Sequence, residues 1–286
     1  MTSNALRSVP SPAPSADDDF DVLPYIDGIG AFLAGPANVI MQLAWPGVGY
    51  GVVESPVDSG KTTLHPFKRF RTTFSYLAVA MMGDEDDRRA YREAVNTSHR
   101  QVRSGPDSPV QYNAFDPELQ LWVAACLYYG IADIIERLHG RLDEDTADAL
   151  YVYGARMGTT LQVKPEMWPA DRAAFEDYWQ AGLRKVSIDP TVRRYLYGVM
   201  SMEYFPWILR VTQAQAIRFF TTGFLPQPFR DEMHLSWTSE DQRRFDRRLR
   251  VIATINSRLP GPIRRLPFNY FLWDVRRRVR TGRKLV

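Results

Sequence analysis

The sequence is short of the residues that build covalent or metal-held frameworks. It has one cysteine, Cys126, so neither an intrachain disulfide nor a thiolate cluster is available. Cys126 sits in an apolar helical run, where packing is its expected use. Four histidines occur, and none stand at a spacing that would let protein side chains alone hold a metal. Charge of one sign is missing too. A net charge of +3 gives no global argument for nucleic acid. There is no alternating strand-type pattern, no repeat at a fixed period, and no early apolar run that suits a signal peptide. These absences point to a helical protein of a reducing, cytoplasmic compartment.

What is present is apolar helical periodicity. Of 286 residues, 45% are hydrophobic, enough for a sizeable core. Residues 1–20, rich in Ser, Pro, Ala and Asp, read as a disordered leader. Residues 21–286 read as one all-α domain, a bundle of roughly ten helices. One helix is expected through Ala31-Phe32-Leu33 and another from Pro36, ended by Pro46 and the glycines 47, 49 and 51. Asp116-Pro117-Glu118 and Asp189-Pro190 are helix starts: a capping carboxylate followed by a proline whose missing N–H costs nothing. Behind the first, LQLWVAACLYYGIADIIERL is apolar nearly all round, as in the central helix of a bundle. Its His139 suits the negative end of the helix dipole. A further helix is expected over 143–161, and another with Phe245, Leu249, Ile252, Ile255 and Leu259 as its buried stripe.

Ser59-Gly60-Lys61-Thr62 invites comparison with a phosphate-binding loop. That loop requires a glycine five residues before the Gly-Lys pair, and Ser55 stands there. Only Val52-Val53 precede it as possible strand, so a nucleotide site is rejected. The glycines are expected to pass as a loop over a ligand cavity.

The chemistry concentrates between His65 and Gln120. Pro66 opens a helix in which Phe67, Phe70, Phe74, Leu77 and Met81 form an apolar stripe, and the spacing turns Arg71 inward with it. Gly83 ends this helix and Asp84 caps the next, where Tyr91, Val95, His99 and Val102 share a face. A buried guanidinium cannot shed its proton and needs an anionic partner. That partner is a carboxylate, Glu54 or an aspartate, or else a bound anion, a cofactor carboxylate or an oxygen species. An inward imidazole is either a hydrogen-bonded core histidine or a ligand.

Arg71-Thr72, then His99, then Tyr112-Asn-Ala-Phe-Asp116-Pro117 running into Leu121-Trp122-Val123, resemble the MpaB/rubber-oxygenase family. Leu225-Pro226 with Arg230 and Trp237, and Leu259-Pro260 with Arg264, resemble its C-terminal half. The resemblance implies an all-helical, globin-like core around a b-type haem, with His99 as axial ligand to the iron. It implies oxidative cleavage of carbon–carbon double bonds in isoprenoid-like substrates by dioxygen. Where rubber oxygenases carry lysine before the threonine, this chain has Arg71, which cannot coordinate iron. Arg71 and Thr72 are then expected to polarise bound oxygen or hold a propionate; approximate spacing makes Glu54 the candidate for the family's catalytic acid, with an ordinary surface-loop residue as the alternative. Trp122, Tyr128 and Tyr129 are expected either to wall the cavity or simply to pack. The other function class is a haem-binding helical protein without turnover, a sensor or carrier. A non-haem iron site is the third.

The chain ends in a basic run with Arg276, Arg277, Arg278, Arg280, Arg283 and Lys284. Its ordinary use is a solvated helix end, and its functional use is peripheral attachment to an anionic membrane surface. Tyr270, Phe271 and Trp273 read as a core face rather than a stacking platform, which argues against nucleic acid.

Overall fold

Aspartate caps and first-turn prolines punctuate a chain that is helical wherever it is regular. The computed structural model describes residues 20–286, and among these no residue lies in a strand. The helices are α1 (Gly28–Leu43), α2 (Pro46–Val53), α3 (Pro66–Met82), α4 (Glu85–His99) and α5 (Pro117–His139). There follow α6 (Glu144–Gly154), α7 (Arg156–Thr159), α8 (Arg172–Leu183), α9 (Pro190–Met200) and α10 (Trp207–Phe224). The chain closes with α11 (Gln227–Glu232), α12 (Ser239–Ser257), α13 (Gly261–Arg264) and α14 (Leu266–Arg280). The all-α class expected from periodicity is therefore the observed one. The leader expected over residues 1–20 lies outside the described residues, except for Phe20, whose ring packs 5.8 Å from that of Tyr153.

The local start signals act as their chemistry requires. Asp116 accepts from the N–H groups of Glu118 and Leu119 and Asp189 from that of Val192, each followed by proline. Asp84 and Asp87 form a reciprocal capping box on α4. By length and composition α5 could cross a membrane. In the fold it lies against α1, α7 and α12, with Trp122, Ala125 and Cys126 fully buried. Trp45, Trp122, Trp179 and Tyr129 stack in succession, at centroid spacings of 4.6, 5.1 and 4.3 Å. Tyr128 packs edge-on against Tyr151, Trp168 and Phe175. In their contacts these aromatics pack in the core.

Four expectations are overturned, each by tertiary packing. First, α1 does not stop at Pro36 but runs through it. Burial of Ala34, Ala37, Asn38 and Ile40 offsets the lost hydrogen bond, and Asn38 donates to the Cys126 carbonyl at 2.6 Å. Second, the glycine run is helical, forming α2 at 108° to α1. Its glycines serve close approach: a Cβ on Gly49 would lie 2.7 Å from the Leu43 carbonyl and 3.1 Å from Val192. Third, the helix expected over 143–161 breaks at Ala155 into α6 and α7. Fourth, the α12 stripe is buried only at Phe245 and Leu249, while Ile255 and Leu259 are 58% and 41% exposed. On α14 Phe271 is buried, but Tyr270 and Trp273 are exposed, so that aromatic group is only in part a core face.

Candidate functional site

Helix α3 separates two environments. On one side Phe70 and Phe74 meet Phe32 of α1 and Phe271 of α14, with centroids 5.0 to 6.1 Å apart. Arg71 follows this side and approaches the Asp274 carboxylate of α14 at 3.6 Å. Arg278 holds the same oxygen of Asp274 at 2.6 Å. Lys68 lies near Arg71, Arg278 and Lys284, and burial and then these like charges push its pKa down. The inward guanidinium thus finds an aspartate partner, one of the alternatives its spacing left open. Phe67, at the first turn, is exposed and meets only the edge of Phe205 at 5.5 Å.

On the other side α3 faces α4. The buried Tyr91 donates its hydroxyl to the Thr72 carbonyl at 2.5 Å, fixing the two helices in register. Arg92 donates to the carbonyls of Thr160 and Thr159 at 3.0 and 3.1 Å, tying α4 to the exit of α7. The Thr72 hydroxyl donates to the Arg69 carbonyl at 2.9 Å, so this proton is used within its own helix.

His99 ends α4, and its Nδ1 is buried without a hydrogen-bond partner. Burial pushes its pKa down to about 4, with the nearby Arg69 charge adding to the effect, so the imidazole is neutral near pH 7. Phe115 presents its ring at 6.2 Å. After α4 the chain doubles back: Ser104 N–H donates to the Tyr112 carbonyl and Ala114 N–H to that of Val102, both at 2.9 Å. The turn carries Tyr112 to α2, where its hydroxyl donates to Glu54 at 2.9 Å. Glu54 is exposed at the end of α2 and does not pair with Arg71. Burial and then the Glu54 carboxylate push the Tyr112 pKa up to about 12.

Further polar groups stand orphaned on α4 and just past α7. Asn96 Oδ1, one turn before His99, is buried without a partner, as are Thr160 Oγ1 and both amide atoms of Gln162. Asn96 also follows Arg92 by one turn, which turns it toward the α7 exit that carries Thr160. Sequence reasoning passed over these residues, although the three-residue step from Asn96 to His99 is a same-face signal. Among the described residues no group of three or more His, Cys, Asp or Glu is placed to hold a metal ion.

The remaining motifs are structural in their contacts. Lys61 pairs with Asp58 at 2.8 Å within a 3-10 turn, and Thr62 accepts from Tyr195 at 3.0 Å. His139 does more than complement a dipole: its Nε2 lies 2.6 Å from Asp27, which also takes Arg264 at 2.9 Å. Arg230 lies over the Trp237 ring at 5.8 Å. A concavity of about 570 Å³ at the C-terminal end of α5 is lined by Asp133, Glu136, Arg137 and, just past the helix, Arg141, none of them among the residues above.

The all-helical scaffold thus carries one half-buried, neutral histidine with an orphaned ring nitrogen at the end of α4. Over residues 25–254 the sequence matches the family described as ER-bound oxygenase mpaB/B'/Rubber oxygenase, catalytic domain, and the chain belongs to it. The family is one of oxygenases, so the general chemistry is that of an oxidoreductase. An uncharacterized protein of Mycobacterium bovis and one of Mycobacterium tuberculosis are each 53% identical to it over 250 residues, 87% of this chain and 98% of theirs. No solved structure matches.

Proposed function

We propose that this chain is a haem b-dependent oxygenase acting on a carbon–carbon double bond of an apolar, isoprenoid-like substrate, with His99 as the protein ligand to iron. The observation that carries the reading is His99 itself: half-buried and neutral, with its Nδ1 buried and unpartnered. A porphyrin brings four donors of its own, so one imidazole suffices where no multi-residue cluster is available among the described residues. When bound, haem would supply the redox chemistry on dioxygen that amino-acid side chains lack.

The chain's own residues supply holding, charge and exclusion of water. Tyr91 fixes α4 against α3 and thereby the height of His99 relative to Thr72. Arg71 stays protonated and cannot coordinate iron; its charge leans on Asp274 yet is also felt by Tyr91 of α4, so it would act as a fixed cation toward a propionate or dioxygen. Glu54, held by Tyr112, is the carboxylate available to accept a proton. Cleavage of an alkene by dioxygen balances without an electron donor: the carbon–carbon and oxygen–oxygen bonds break, and each carbon takes one oxygen as a carbonyl.

A second reading has a specific observation behind it. The Thr72 proton is used by Arg69, and Arg71 leans on Asp274. Both groups are thus engaged, as in a haem-binding sensor or carrier without turnover. Two measurements separate the readings. Protein expressed with haem supply should show a Soret band that His99→Ala removes or shifts while helicity is kept. Turnover of an unsaturated isoprenoid under dioxygen, lowered by Arg71→Lys, supports the oxygenase. Haem binding with no turnover supports the carrier, and no haem in either protein refutes both.

A further inference from the structure

The small net charge conceals a strongly divided chain. Of its 36 basic and 33 acidic side chains, fourteen basic and only two acidic ones, Asp246 and Asp274, fall between Arg243 and Val286. The final helices are cationic and the rest of the molecule is acidic. Asymmetry of this kind directs one end of a protein to an anionic partner.

The same segment leaves its apolar side chains outside. Ile255, Leu259, Ile263, Leu266, Tyr270 and Trp273 are all exposed, Leu266 by 63%. On α14 the steps from Leu266 to Tyr270, Trp273, Arg277 and Arg280 are of three and four residues, so these side chains form one outward face. It is apolar and aromatic in its first half and cationic in its second. The Tyr270 and Trp273 rings meet at 5.9 Å, and Arg277 lies 5.4 Å from the Trp273 ring. The opposite face buries Phe268, Phe271, Leu272 and Val275, so the outward residues are not needed for packing. Arg276 and Arg278 are committed to Asp84, Asp87 and Asp274, and Arg264 to Asp27. Arg258, Arg277, Arg280 and Arg283 have no carboxylate partner among the described residues.

We infer that the outward face of α14, from Leu266 to Arg280 and on to the basic end at Arg283, docks the protein on an anionic lipid surface. Exposed aliphatic side chains enter the acyl boundary, Tyr270 and Trp273 sit at headgroup level, and the arginines meet lipid phosphates and carboxylates. A second copy of the chain is the less suitable occupant, because the same face would bring these arginines no acidic side chain to pair with. The inference stands independently of the haem proposal. It gives an apolar substrate a source adjoining the protein.

The test is flotation of the full-length protein with vesicles of phosphatidylcholine alone or with phosphatidylserine added. Binding to the anionic vesicles only, weakened by salt, is expected. Arg277→Gln, Arg280→Gln and Arg283→Gln together should lower partitioning by about fivefold per residue, roughly hundredfold in all. Trp273→Ser with Leu266→Ser should also weaken it, at unchanged helicity by circular dichroism. If the serine variant loses helicity, the glutamine variant alone decides, since it leaves every apolar contact in place. No binding to either vesicle, equal binding to both, or a dimer in light scattering that Trp273→Ser dissolves would overturn the proposal.

Discussion

The state of His99 can be measured through stability. In the folded protein its pKa lies at about 4, against an ordinary value near 6.5, because burial and Arg69 disfavour the imidazolium. Between these values the unfolded chain binds a proton that the folded chain does not. Stability contributed by the neutral imidazole is therefore fully present above pH 6.5, and is lost as pH falls toward 4. Lowering pH from 7 to 5 should cost about 2 kcal/mol from this group alone, reduced to about 1–2 kcal/mol by its partial exposure. The assay is urea unfolding of haem-free protein at pH 7, 6 and 5, comparing wild type with His99→Gln. Carboxylates titrate alike in both, so the difference isolates the histidine. The wild type should lose stability relative to the variant as pH falls, and haem binding through His99 should suppress the loss. A difference independent of pH would refute the neutral imidazole and remove the main support for ligation.

Three other outcomes follow from particular contacts. Asp274→Asn removes the carboxylate that Arg71 and Arg278 share and should cost about 2 kcal/mol in urea unfolding, less than a fully buried pair because both arginines are partly exposed; no loss would mean that Arg71 is not held by this pair. Tyr112→Phe should cost about 1 kcal/mol, and adding Glu54→Gln should cost little more, because the two share one hydrogen bond; additive losses in a double-mutant cycle would contradict that pairing. Gly49→Ala should destabilise by about 1–3 kcal/mol through its approach to the Leu43 carbonyl, whereas Gly35→Ala, with open space around it, should stabilise by up to about 1 kcal/mol. Thermal melts of the pair moving in the same direction would show that packing does not govern α2.

How much was legible depends on the range over which each determinant acts. Asp116-Pro117 and Asp189-Pro190 declare helix starts because cap and proline act on the next three residues. Pro36 and the glycines of α2 misled because local propensity is weak beside burial. Asn38 reaches Cys126, and Gly49 closes on Val192, contacts that no window of adjacent residues contains. Periodicity turned Arg71 inward but could not choose Asp274 among the acids, since α14 follows nearly two hundred residues later. The α12 stripe shows the converse limit. A periodic face announces that a helix has an apolar side, and Ile255 and Leu259 have the period without the neighbour. Asn96 was within reach of sequence reasoning, and the orphaned Thr160 and Gln162 were not.

Helix α14 joins the two proposals physically and lets them be tested apart. Its inward face supplies Asp274 to Arg71 and aromatic packing to α3, the helix that also carries Thr72 toward α4. Its outward face carries Tyr270, Trp273 and Arg277 away from those contacts. Loss of the outward side chains changes no hydrogen bond or ion pair of α3, so vesicle binding should fall while the pH response of His99 stays the same. Loss of Asp274 frees two guanidinium groups at the inner face, so stability and the surroundings of Arg71 should change while the outward apolar residues keep their places. Were Trp273→Ser to alter the His99 titration, the two faces would be coupled through α3, and lipid contact would reach the site by shifting that helix rather than by holding the protein near its substrate.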